Sequence, residues 1–433
     1  MDSSKQQICE AVEINRDRIL SIGSAILHTP ELGFKEHRTA ALVLEEMRRI
    51  GLTDITRCGV TGVKGWLRGR SGGPRIALLG ELDAVISPKN PAADLQSGAA
   101  HACGHNAQIA AMLGAAMALR PMAGRLSGDI CFLAAPAEEY VEIDYRLSLR
   151  KNGEIKYLGG KQQLLAEGIF DDIDMAILIH SETGHPGAHA VVNGPSMGFI
   201  AKLIQFNGRA AHAGGAPHEG INALNAAALA ILAVHAQRET FKDEDHVRFH
   251  SIITHGGSTV NTVPDLVCME SYVRAGNIPA LQSAGSAINR ALCGAAAAFG
   301  AQIEIQDLPG YLPLCQNHEL NVLFEKNAAS LLGQSAVETG IPFAGSTDMG
   351  DLSVVIPSMQ ATVSGFSGLL HGGDFAVCDE ELAYLVPAKL LAMEALDLLA
   401  DNAVQAHRII RNYPRRTPAQ YRALWENILE GAS

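Results

Sequence analysis

Two residues apart in the segment HACGHN, Cys103 offers a thiol and His105 an imidazole, a spacing that lets both reach one ion from a tight turn. Zinc and its neighbouring transition metals accept that pair. Alone, such a spacing is more often a buried cysteine that simply packs beside a surface histidine. The segment PAEE sets Glu138 and Glu139 directly after a strongly apolar run, where charge is costly unless a cation or hydrogen bonds compensate it. Neighbouring side chains diverge, so one carboxylate can hold a metal while the other takes a proton from water. DMAILIH closes on His180 in the same manner, and GELDAV ends another apolar run with Glu81 and Asp83, an aspartate able to orient a ligating imidazole. HGGDF carries His371 and Asp374 in a glycine turn, which turn chemistry alone would also explain.

What these segments share is their place. The runs RIALLG, DICFLAAP and DMAILIH predict buried parallel strands, separated by helices over residues 106–119 and 161–167, after an opening that reads as helices up to Gly51. That β-α-β pattern predicts an α/β fold with a doubly wound, mostly parallel sheet, in which ligands sit at strand carboxyl ends. The chemical residues therefore gather on one edge. After Gly194 the pattern becomes β-α-β-β-α-β: strands over 199–206, 247–254, 265–274 and 302–306, with helices over 221–235 and 279–299. This order predicts an inserted ferredoxin-like α+β domain at 195–307, within a discontinuous catalytic domain formed by 1–194 and 308–433. Helices are expected again over 320–332 and 380–399, and the basic residues Arg408, Arg411, Arg415 and Arg416 are expected on a solvated terminal helix.

Composition bounds the function. The 433 residues are 47% apolar and 18% charged, which is material for a folded chain of two or three domains. Thirty-four basic against 46 acidic residues give a net charge of −12, which argues against a nucleic-acid partner. The first thirty residues lack the central apolar segment of a signal peptide, and no apolar window reaches membrane-spanning length, so a cytoplasmic protein with no membrane partner is expected. The eight cysteines form no CxxC pair, which favours reduced thiols. Neither a phosphate-binding glycine loop nor a GxSxG elbow is present.

Read in order, the segments HTPELGFKEHRTA, GELDAV, HACGHN, PAEE, the run ending at His180, GRAAHAGGAPHEGINAL, NTVP, GSTDMGD and HGGDF resemble the metallopeptidase family of aminoacylases, dipeptidases and desuccinylases. Within it they are most similar to the amidohydrolase branch that holds auxin-conjugate and p-aminobenzoyl-glutamate hydrolases. The resemblance implies metal ligands Cys103, His105, Glu139, His180 and His371, holding one or two zinc or manganese ions per subunit. It implies Glu138 as general base and proton shuttle, Asp83 in support, and His212 holding the oxyanion, in a neighbouring subunit's site, with Asn261 close by. Ser346 and Asp348, in the GSTDMGD segment, are expected to bind substrate. It further implies a homodimer or higher homo-oligomer through the inserted domain.

The chain departs from that branch at three places. Asn106 follows CGH where aspartate is usual, Ser181-Glu182 follows His180, and YVEIDYRLSLRKNGEIKYLGG lengthens the segment after Glu139, which implies a remodelled pocket wall. The leading expectation is hydrolysis of a C–N bond in a small molecule, an amide of an N-acyl or aminobenzoyl amino acid. A second reading replaces the amide by the amine of an activated aromatic ring, as in the similar nitroanthranilate aminohydrolase. A third, a non-catalytic binding protein, is disfavoured by intact carboxylates at apolar strand ends.

Overall fold

The computed structural model describes residues 2–70, 72–184 and 187–432, which divide into two compact units. The first comprises Met1–Pro195, Cys315–Pro342 and Asp351–Pro418, the second Ser196–Leu314, Phe343–Gly350 and Ala419–Ser433.

In the first unit the apolar runs Arg75–Glu81, Asp129–Ala135 and Met175–Ser181 are buried along nearly their whole length. Such runs need cover on both faces, which a parallel sheet between helices gives. Asp129–Ala135, Arg75–Glu81, Met175–Ser181 and Ser358–Val363 are successive parallel neighbours. The full sheet has eight strands: beyond Asp129–Ala135 lies the antiparallel pair Gly62–Leu67 and Thr53–Cys58, and beyond Ser358–Val363 lie Ala190–Val192 and Val337–Thr339. The sheet is thus mixed, with a parallel centre.

The helix His105–Leu119 is buried on every side, as its apolar run from Ile109 onward demands, and packs against Arg75–Glu81, Arg16–Leu27 and Val386–Leu399. Gly114 makes this possible, because a side chain there would meet Ile19 and Ala388. The helix expected over 380–399 starts with a wider π turn, Glu381–Leu385, before the regular helix Val386–Leu399.

The second unit has a four-stranded antiparallel sheet in the order Arg248–His255, Leu266–Ala275, Gly198–Asn207, Gln302–Tyr311, with the helices Ala223–Ala236 and Ile278–Ala298 packed together over one apolar core. This is the ferredoxin-like split unit. Its last strand runs five residues beyond the expected 302–306, through Pro309, which an edge strand tolerates. The unit also takes in 343–350 and the C-terminal helix Pro418–Ala432 from Ala419 onward, which the sequence pattern assigned to the catalytic domain. The reason is visible on Ile278–Ala298: Gln282 and Asn289 donate to the Asn427 and Ala432 carbonyls, and Gly285 leaves room for Ala432.

The basic tail differs from expectation. Only Arg408 and Arg411 lie on a helix, Val404–Asn412, and Arg408 pairs with Glu319. Arg415 donates to the Phe170 and Asp171 carbonyls and Arg416 to that of Val354, because carbonyls left free at loop ends accept guanidinium donors readily. Among the described residues, no helix is long and apolar enough to cross a membrane.

Candidate metal centre

Parallel neighbours end on one edge, and the register sets where: Glu81 lies opposite Ala135, and His180 opposite Thr362. The turn carrying Cys103 closes against the same edge. Gly104 has φ +78°, and a Cβ there would stand 2.3 Å from Ser181 Oγ, so only glycine lets turn and strand meet. The Ser181 hydroxyl donates to the Cys103 carbonyl, and the helix His105–Leu119 starts immediately afterwards.

Each imidazole is aimed by its second nitrogen. His105 Nδ1 lies 2.8 Å from the Asp83 carbonyl, and His180 Nδ1 2.8 Å from the Ser181 carbonyl. A carbonyl only accepts, so both Nδ1 atoms carry a hydrogen, and Nε2 is the nitrogen whose lone pair is free once the ring is neutral. His180 Nε2 faces Cys103 Sγ at 3.5 Å. His371 adopts φ +64°, held by its N–H donating to the Ala102 carbonyl, and its Nε2 is 3.1 Å from Glu139 Oε1. Asp374 is a turn residue: its carboxylate accepts the Leu369 N–H.

Three sets of donor atoms converge, each within 4.8 Å: Cys103, His105 and His180; Cys103, Glu139 and His371; Glu81, His105 and Glu138. Cys103 belongs to the first two, the position a thiolate shared between two ions would take. Asp83 stands behind them, its Oδ2 accepting the Glu139 N–H at 2.9 Å. The arrangement fits a divalent transition metal. His105 Nε2 and Glu139 Oε1 are buried without a well-formed hydrogen bond, each facing only another donor of the cluster, Glu81 Oε2 at 3.2 Å and His371 Nε2 at 3.1 Å, although such atoms are nearly always satisfied. Thiolate, imidazole and carboxylate together are the donor set that zinc accepts.

The donors also charge one another. Burial and the Glu139 carboxylate oppose ionisation of the Cys103 thiol, yet the His180 and His105 imidazoles pull it down to about 6. Burial resists protonation of His180, but the Cys103 thiolate raises it to about 9. Chiefly through Glu139, His371 rises to about 11. A cation in their midst would replace those protons.

The remaining expected residues lie in the second unit, outside this cluster. His212 Nδ1 accepts the N–H groups of Gly214 and Gly215, at 3.2 and 2.9 Å. Its hydrogen is therefore on Nε2, which faces the Asn261 side-chain amide at 3.4 Å, a group whose oxygen is its acceptor. The Ser346 hydroxyl accepts from Arg274 at 2.6 Å, and Asp348 is fully buried. Sequence reasoning missed three buried residues around the cluster. Lys161 pairs with Glu81, which also accepts from Gln108; Glu36 and Arg146 hold the segment before Glu138. Their signal was faint: a lysine opening a helix, a glutamate inside PELGFKEHRTA and an arginine inside the lengthened segment.

A model of Peptidase family M20/M25/M40 matches residues 77–389, most of the chain and every strand end described above. The chain belongs to this family. It is accordingly a hydrolase of a metal-binding family, and the cluster is the candidate site for the metal. The Xaa-Arg dipeptidase of Mus musculus is 28% identical over 425 residues, covering 91% of this chain and 89% of the relative. The N-acetylcysteine deacetylase of Bacillus subtilis is 28% identical over 329 residues, covering 74% and 81%. Among solved structures, a dinuclear metal-binding peptidase of the family from Bacillus subtilis matches with a TM-score of 0.68 at 23% identity, over 89% of this chain and 99% of that one, a likeness of fold.

Proposed function

We propose that this chain cleaves the amide C–N bond of a small N-acyl or aminobenzoyl amino acid or dipeptide, using two divalent ions that share Cys103. The observation that carries this reading is the convergence of the two donor sets on one thiol, with Glu138 beside them in the set of Glu81 and His105. His105 and His180 would complete one set with Cys103, Glu139 and His371 the other. When bound, such ions make water acidic enough to serve as a nucleophile near neutral pH. Glu138 receives the proton and returns it to the departing nitrogen; at 6% exposure it sits where few waters compete for that proton. Asp83 keeps His105 and the Glu139 backbone in place.

His212, with its Nε2 hydrogen fixed by the Gly214 and Gly215 amides, donates to the oxygen on which charge develops, and Asn261 assists. It acts in the site of a neighbouring copy, and the homodimer forms through the second unit. Supporting this, Arg248–His255 is an edge strand exposing Ile252 and Ile253, and the helix Ala223–Ala236 exposes Leu232. Ser346 and Asp348 orient the substrate. The enzyme works in the cytoplasm, where Cys103 stays a free thiol.

The test is a screen of zinc- or manganese-loaded protein against N-acetyl amino acids, Xaa-Arg dipeptides, p-aminobenzoyl-glutamate and aminobenzoates, with mass detection of both products. An acid and an amine are expected. Ammonia and a phenol would move the reaction to an aromatic ring, and no turnover across the set would overturn the proposal. Light scattering of the purified protein is expected to give a dimer or a multiple of it.

A further inference from the structure

The lengthened segment after Glu139 holds the helix Ile143–Lys151, and Arg146 on it is completely buried. Its guanidinium makes no ion pair among the described residues. It donates to three main-chain carbonyls: Ala137 at 3.4 Å, Leu158 at 2.6 Å, and Glu139. Two of these carbonyls flank Glu138. A guanidinium taken out of water without a carboxylate partner is expensive, so its location calls for a reason.

The loop it grips is under strain. Ala137 adopts φ +51°, a left-handed conformation unfavourable for a residue with a side chain. Surrounding hydrogen bonds must hold it there. From one side the buried Glu36 carboxylate accepts the Ala137 N–H at 2.7 Å; from the other, Arg146 and the Gly160 N–H donate to the Ala137 carbonyl. Two glycines make space for this. A Cβ on Gly33 would stand 2.3 Å from Arg146 Nη2, and one on Gly160 would stand 1.6 Å from the Pro136 carbonyl oxygen. The left-handed residue turns the chain at the end of Asp129–Ala135, and beyond it the adjacent carboxylates part, Glu138 to the set with Glu81 and His105, Glu139 to the set with Cys103 and His371.

We infer that Arg146 and Glu36 are positioning residues that clamp the Ala137 turn from its two sides and thereby aim Glu138 at substrate and Glu139 at the metal. The lengthened segment is on this account a bracket behind the carboxylates. The inference rests on the roles proposed above for Glu138 and Glu139, and its main readout needs no turnover.

The Arg146 guanidinium also lies over the Phe34 and Tyr140 rings, at 5.4 and 6.0 Å; Arg146→Met retains bulk there but has no donors, and Arg146→Ala leaves a guanidinium-sized space. Titration of metal-free protein with zinc is expected to show roughly 10–100-fold weaker binding for Arg146→Met, the range for groups that orient ligands. Its kcat on whichever acyl amino acid the wild type cleaves should fall by a similar factor with KM nearly unchanged. Guanidinium at millimolar concentration should restore zinc affinity to Arg146→Ala. Glu36→Gln, which keeps an acceptor for the Ala137 N–H, should bind zinc as the wild type does, and Glu36→Ala should not. Folded Arg146→Met with wild-type zinc affinity and kcat would overturn the inference, as would a lowered melting temperature with both constants unmoved. If Arg146→Met fails to fold, the Glu36 pair decides in the same way. If the wild type cleaves none of the probes, the proposed reaction fails while the zinc titrations still decide the clamp.

Discussion

The two units place their chemical residues in opposite physical settings. In the first, Cys103, His105, Glu138 and Glu139 are buried, with His180 half-buried and His371 at the exposed rim, and His105, His180 and Glu139 are each oriented by a main-chain or carboxylate partner. In the second, His212 and Asn261 are exposed, and His212 is steadied by two glycine amides with the Asn261 side chain beside it. Burying several charges at one point requires a cation to balance them and a rigid shell to hold them apart, so the first unit has to be complete in itself. An exposed imidazole on a glycine loop costs little to maintain and gains strength only when something excludes water from it. On the proposed roles, metal affinity and turnover are separable here: loss of a metal ligand in the first unit strikes both, whereas loss of Glu138 or of the His212 loop strikes only turnover.

The largest effect should come from removing metal. Chelation is expected to reduce activity to background and lower the melting temperature, with zinc or manganese restoring both; full activity after verified removal, followed by elemental analysis, would break the comparison at its base. Next, Glu138→Gln should lower kcat by about 10³-fold with zinc content unchanged, because an amide cannot take the proton. His212→Ala should cost roughly 10²–10³-fold in kcat and leave zinc binding alone. Mixing it with Glu138→Gln and allowing subunits to exchange should recover about a quarter of wild-type activity, since half of randomly mixed dimers carry one intact site. An unrecovered mixture would place His212 in its own subunit's chemistry. Smaller still, Cys103→Ala should weaken binding of both ions and His180→Ala of one, read as bound-zinc stoichiometry.

The smallest effect concerns the shell itself. Burial, with the Asp83 charge second, pushes the Glu36 carboxyl up to about 7 from an ordinary 4.5. Between those values the folded chain holds a proton the unfolded chain has lost. Its contribution to stability is therefore full below pH 4.5 and disappears as pH rises through 7. Glu36→Gln should accordingly gain melting temperature relative to wild type between pH 5 and pH 8. A constant difference would mean that Glu36 titrates in its usual range.

Much of the first unit was legible in the residue order because its signals are local. An apolar run that ends in Glu, Asp or His reads as a buried strand with chemistry at its mouth, and RIALLG, DICFLAAP and DMAILIH became adjacent parallel strands. The ferredoxin-like order of the second unit was equally plain, since the strand Leu266–Ala275 alternates between buried and half-buried residues and its helices are long Ala-rich runs. Arg146 was illegible for the opposite reason: an arginine in a polar-looking helix is ordinarily solvated, and only the folded loop shows three carbonyls waiting for it. The same is true of Arg415 and Arg416, whose partners lie far away in the chain.

Residue types and their spacing settled the donor chemistry and the edge where it gathers, because side-chain chemistry and strand burial are properties of short segments. Tertiary structure alone decided which donors share Cys103, which nitrogen of each histidine faces the centre, and what grips the turn before Glu138, because these depend on distances between segments brought together from across the chain.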